Sequence, residues 1–258
     1  MSFALLGREA ISQSSELIAA CLRRATSPGP PRDPCEDASV ERPEPHEERG
    51  AQPLLSDGVI ELAPWRLEDA SVLGSFDRDP DHMRWFDQPT PSEDPAARVA
   101  HEEAVIRRWW QEWADGTSLT FVIRVGDEPV GEVDLQPRPP ITANIAYAVA
   151  PEHRRRGYAS RAVRLLAIEG LTRFGFHRIE LIADVDNLVS RRVAERAGFT
   201  LEGVRRSSGW YEHVPEYTGK PRDSALYSLV EADLHEGNAG AELRLSKGTH
   251  GGTLPGPP

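Results

Sequence analysis

The sequence predicts an α/β fold, with a central mixed sheet of about seven strands and helices on both faces. Three observations carry that expectation. Apolar runs of strand length alternate with helical periodicities between Gly58 and Glu231. Two such runs flank Gly126-Asp127-Glu128, a hairpin signal. A third run, Ile145-Ala146-Tyr147-Ala148-Val149-Ala150, passes through a basic, glycine-bearing loop directly into an amphipathic helix.

Taken in order, residues 58–65 read as a first strand and 67–76 as a short helix with Asp69 near its start. Residues 77–94 read as a loop. Residues 96–115 carry Val99, Val105, Ile106, Trp109, Trp110 and Trp113 at helical spacing. Residues 119–125 and 129–135 form the hairpin, and 141–150 a fourth strand. A helix follows over 160–175, then a fifth strand over 178–184. Asn187 caps a helix that puts Val189, Val193 and Ala197 on one face, and Gly198 stops it. Strands over 199–204 and 225–231 close the sheet. These elements define a domain over 55–235. Residues 1–54 are broken by proline and polar, and read as a disordered N-terminal extension. Residues 236–258 read as a disordered C-terminal tail.

Composition excludes several classes of function. A net charge of −11 disfavours a general nucleic-acid binder or a protein of anionic membranes, because both need clustered positive charge. No apolar window is long enough to span a bilayer, and the start lacks the pattern of a secretory signal, so the expected location is cytoplasmic. The only lysines are Lys220 and Lys247, an arginine-rich bias typical of a bacterial gene of high GC content. Cys21 and Cys35 both precede the domain, which removes a disulfide framework and a cysteine nucleophile from it. The histidines lack metal-ligand spacing, so no metal site is expected.

Two stretches carry the chemistry. The first is Pro151-Glu152-His153-Arg154-Arg155-Arg156-Gly157-Tyr158-Ala159-Ser160. A strand, a tight basic loop with glycine and a helix start together hold a diphosphate. The first-turn amides lack intrahelical partners, and the helix dipole favours negative charge there. The second is Asp186-Asn187-Leu188-Val189-Ser190 running to Gly198-Phe199, followed by Glu202-Gly203 and Arg205.

Together these stretches resemble the GNAT acetyltransferase superfamily, in its RimJ/RimL-like branch. Arg154-x-x-Gly157-x-Ala159 is similar to that superfamily's diphosphate loop, and the Asn187–Gly203 block and Arg222-Asp223 fit the branch. The resemblance implies acetyl-CoA as co-substrate and a primary amine as acceptor, either a protein N-terminus or a small molecule. It implies that the loop of Arg154, Arg155, Arg156, Gly157, Tyr158, Ala159 and Ser160 holds the diphosphate, with Arg161 adding charge. The main chain of Ala148 and Val149 would pair with the pantetheine arm, in a slot where the fourth and fifth strands splay apart. The Asn187 side chain would hold the arm from the other wall. A tyrosine often serves as general acid seven residues after that asparagine, where this chain has Ala194. Ser190 then takes the acid's role. Many relatives carry a glutamate base where this chain has Asn144, so Glu132 acting through water becomes the candidate base, with Asp134, Glu212 and Glu216 as alternatives. Trp210 and Tyr211 are expected on the acceptor wall, built by residues 205–223 and the loop over 77–94. The vacant tyrosine and glutamate positions also leave open a degenerate acetyl-CoA sensor or scaffold. The assembly expected is a monomer or a homodimer.

Overall fold

The computed structural model describes residues 52–87, 92–138 and 140–234. Expectations for residues 1–51 and 235–258 lie outside the described residues.

The chain opens with two short antiparallel strands, β1 (Leu55–Ser56) and β2 (Glu61–Ala63). A 3-10 turn at Leu67–Asp69 leads into α1 (Ala70–Phe76), α2 (Pro80–Phe86) and α3 (Pro95–Asp115). Then come β3 (Leu119–Val125), β4 (Glu128–Arg138) and β5 (Thr142–Val149). After a 3-10 turn at Pro151–His153 follow α4 (Tyr158–Thr172), β6 (Arg178–Asp184), α5 (Leu188–Ala197), β7 (Thr200–Gly209) and β8 (Arg222–Val230). The strands form one sheet in the order β1-β2-β3-β4-β5-β6-β8-β7. Among the described residues its only parallel pair is β5 with β6.

Alternation along each strand divides the sheet's side chains between two cores. On one face Phe121, Val133, Leu135, Ile179 and Leu181 meet Val163 and Leu166 of α4 and Ala194 and Ala197 of α5. On the other, Val122 and Ala148 meet Leu73 and Phe76 of α1, Ile106 of α3 and Trp65. A buried ion pair ties the second layer to the sheet: Arg124 of β3 grips Asp69 at 2.5 and 2.7 Å, and Asp69 also accepts from the Arg66 amide at 2.9 Å.

Three differences from the sequence reading have local causes. The sheet has eight strands because Leu55–Ser56 pairs with β2, and two residues are too few for any periodicity to reveal. The first long strand contracts to Glu61–Ala63 because Asp57 Oδ1 accepts from the Val59 and Ile60 amides, both at 2.9 Å, and folds 57–60 into a turn. Within the expected loop over 77–94, Pro80–Phe86 is helical. Asp79 caps it by accepting from the His82 amide at 2.9 Å, and Pro80 takes the first position, where no amide is needed.

Candidate active site

The site begins where the parallel pair comes apart. Strands β5 and β6 are in register only through Thr142↔Arg178, Ala143↔Ile179 and Asn144↔Glu180. Beyond Asn144 each keeps its other neighbour: β5 stays on β4 as far as Gly131↔Val149, and β6 stays on β8 as far as Asp184↔Ser224. The result is a wedge lined by Ile145–Val149 on one side and Leu181–Asp184 on the other, within a cleft of about 1040 Å³. Residue 131 has to be glycine for this geometry, since a β-carbon there would collide with the Ala148 carbonyl oxygen.

At the mouth of the wedge lies the basic loop. Gly157 has φ 84°, a left-handed backbone that favours glycine, and it is also the N-cap of α4. A glycine cap has no side chain to occupy the first-turn amides, so those of Tyr158, Ala159 and Ser160 are left for an anion. Arg154 fastens the loop. Its Nε donates to the Val149 carbonyl at 3.0 Å, and its guanidinium pairs with Asp79 at the cap of α2. Arg161 pairs with Asp57 at 2.8 Å. The charge of both arginines is therefore already partnered by carboxylates, while Arg155 and Arg156 are exposed.

Helix α5 supplies the facing wall. Asn187 Oδ1 accepts from the Ser190 amide at 3.0 Å, so the expected cap exists and the amide NH2 of Asn187 remains for other partners. Tyr147 of β5 donates its hydroxyl to Ser190 Oγ at 3.1 Å. Burial pushes the Tyr147 phenol up to about 12, so it stays protonated. Ala194 lies fully buried in the core.

The other compartment is built from α2 and the segment between β7 and β8, which the sequence reading placed on one wall. They are stitched together: Asp87 accepts from the Glu212 and His213 amides at 2.7 Å each, and Arg84 donates to the Tyr217 hydroxyl and pairs with Glu216. His82 lies between the rings of Phe76 and Phe86, at 5.0 and 4.4 Å, and burial pulls its pKa down to about 4, so it is neutral. Asp184, at the end of β6, takes both Arg222 nitrogens at 3.0 Å and the Tyr211 hydroxyl at 3.4 Å. Asn144 lines the cleft at the base of the wedge, and its buried Oδ1 has no hydrogen-bond partner among the described residues.

Of the expected residues, Ala148, Val149, Arg154, Arg155, Gly157, Tyr158, Ala159, Ser160, Asn187, Ser190 and Tyr211 all line this one cleft. Three do not. Arg156 turns back to the Glu152 carbonyl at 3.2 Å. Trp210 stands out from the wall, 58% exposed. Glu132 lies between Val122 and Ala148 on the face covered by α1 and α3. Burial and the neighbouring Asp134 push Glu132 up to about 8, so it is mostly protonated at neutral pH. Asp134 is raised to about 7, foremost by its burial, with the charge of Glu112 adding to it. The sequence reading missed Tyr147, Asp184 and His82 as site residues. Only His82 had a local signal, the Asp79-Pro80 helix start just before it.

A family model for the acetyltransferase (GNAT) domain matches residues 60–200. The chain belongs to the GNAT acetyltransferases. This acetyltransferase is 35% identical over 89 residues to the uncharacterized N-acetyltransferase YoaA of Bacillus subtilis, a match covering 34% of the chain and 47% of that relative, about half its length. It is 24% identical over 151 residues to spermidine N(1)-acetyltransferase of Escherichia coli, covering 56% of the chain and 74% of the relative. Among solved structures, Mycobacterium smegmatis RimJ in complex with CoA-disulfide superposes with a TM-score of 0.57 at 26% identity, covering 73% of this chain and 93% of that one. Among the described residues, no helix of the acetyltransferase is long and apolar enough to cross a membrane.

Proposed function

We propose that this acetyltransferase transfers the acetyl group of acetyl-CoA to a primary amine by direct attack on the thioester. One observation carries the reading: the wedge between β5 and β6 opens beside a helix N-terminus whose cap is a glycine. The wedge fits an extended arm with amide groups, and the helix start fits a diphosphate. The diphosphate takes the amides of Gly157 to Ser160 with Arg155 beside them. The arm lies along Ala148 and Val149 and meets the Asn187 NH2. That places the thioester near Ser190, with the amine arriving from the compartment of Trp85, Phe86 and Tyr211.

The amine nitrogen attacks the carbonyl carbon, the C–S bond breaks, and its electron pair goes to sulfur, which Ser190 protonates. A rotation of the Asn144 side chain brings its Oδ1, unpartnered and closed to solvent in the empty protein, to one amine N–H. The second amine proton leaves to water. The half-buried carboxyl of Glu132 or Asp134 is a weaker choice for that step, since neither lines the cleft.

The acceptor is a protein N-terminus or a small-molecule amine. A mass-spectrometric screen of primary amines for an added acetyl group, run alongside release of CoA thiol, tests the reading. Acetyl-CoA binding without turnover across that screen would favour the alternative of a sensor or scaffold, which the buried Ala194 at the usual acid position keeps in view.

A further inference from the structure

We infer that Tyr147 is a positioning residue that aims the Ser190 hydroxyl hydrogen at the sulfur of the acyl donor. The inference rests on the reading of Ser190 as the acid. A serine hydroxyl has one hydrogen to give and two lone pairs to fill. Tyr147 Oη donates to Ser190 Oγ at 3.1 Å and fills one of those lone pairs. The hydrogen of Ser190 therefore cannot lie on the Tyr147 axis. Both side chains line the cleft, on opposite walls: Tyr147 on β5 and Ser190 in the first turn of α5.

Neither partner is free to drift. Tyr147 is fixed by its strand, opposite Val133, and packs against the core beneath α4 and α5. Ser190 is fixed by its own amide, bonded to Asn187 Oδ1. Its high pKa keeps the tyrosine a donor throughout the neutral range. A hydroxyl that receives a hydrogen bond becomes a better donor itself, because bonds in a chain polarise one another.

The proton movements balance. The C–N bond forms and the C–S bond breaks with its electron pair on sulfur. Sulfur takes the Ser190 proton, Ser190 Oγ takes the Tyr147 proton, and water returns one to the phenolate. The products are the acetylated amine and CoA thiol.

A double-mutant cycle tests this, using release of CoA thiol from acetyl-CoA. The acceptor is the amine found by the screen or, without one, water. Ser190→Ala should lower kcat by roughly 10²-fold, the size of a lost acid. Tyr147→Phe keeps the ring and should lower kcat by about 10-fold, about 1.4 kcal/mol, with the KM for acetyl-CoA changed less than about twofold. The double variant should match Ser190→Ala, because Tyr147 acts only through Ser190. Ser190→Thr retains a hydroxyl, so Tyr147→Phe should cost the same on that background, which keeps the test decisive should the alanine variant fold poorly. Losses that multiply in the double variant, or a Tyr147→Phe effect confined to KM, would overturn the inference while leaving Ser190 as the acid. A Ser190→Ala enzyme with kcat within a few-fold of normal would instead sink the assignment of Ser190.

Discussion

Replacing Asn144 by Leu should stabilise the protein and damage its activity. The Oδ1 atom of Asn144 is buried and accepts no hydrogen bond among the described residues. A buried polar atom left unpaired costs about 1–3 kcal/mol, and leucine has nearly the same shape without that cost. A gain of about 1–2 kcal/mol corresponds to a Tm increase of roughly 2–8 °C in a domain of this size. Thermal melts of wild type and Asn144→Leu, followed by circular dichroism without any ligand, measure the first effect. Steady-state kinetics measure the second. The KM for the amine should rise about 10-fold, the worth of one hydrogen bond to the substrate, while the KM for acetyl-CoA stays the same. A Tm that falls by a similar amount would refute the reasoning, since it would mean that an ordered water already satisfies Oδ1. A stabilised enzyme with unchanged amine KM would leave the oxygen unpaired but remove it from the acceptor site.

Three further outcomes are expected. Gly157→Glu should abolish acetyl-CoA binding in calorimetry with the fold retained, because its carboxylate competes for the helix N-terminus; Gly157→Ala, which carries only the strain of φ 84°, should weaken binding less. Glu132 is raised in the folded state from 4.5 to about 8, so its stabilising contribution is complete at low pH and lost as pH rises through that window; Glu132→Gln should melt with wild type near pH 5 and several degrees above it at about pH 9. Arg124→Met leaves Asp69 buried without its cation, which should cost about 3–5 kcal/mol and lower Tm by roughly 6–20 °C, with acetyl-CoA affinity preserved.

Features written in contiguous residues were legible before the structure. The Arg154–Ser160 loop, the Asn187 cap and the Gly198 stop each depend on a backbone need that a short stretch declares. The spread of β5 from β6 was expected from the resemblance alone, since nothing in either strand's composition announces where pairing ends. Long-range contacts were not legible. Tyr147 reads as one more apolar strand residue until α5 brings Ser190 across to it. Arg154 reads as a phosphate ligand until α2 brings Asp79. Glu132 was a reasonable base by residue type, but its role turns on which face of β4 it occupies. Alternation places it on the face under α3, opposite the core of Val133 and Leu135, and one strand back from the cleft-lining Ala148.

The early end of the β5–β6 ladder leaves the protein one strand short. From Ile145 to Val149, the backbone edge of β5 that should meet β6 has no strand against it. A pantetheine chain carries two amides and is about as wide as a peptide, so on the proposed reading acetyl-CoA would serve as the missing strand. Binding and folding are then partly the same event: the empty protein should be softest along this seam, and acetyl-CoA should slow amide hydrogen exchange there more than elsewhere in the sheet. On the proposed reading, the sheet would thus be most rigid only while the wedge is filled.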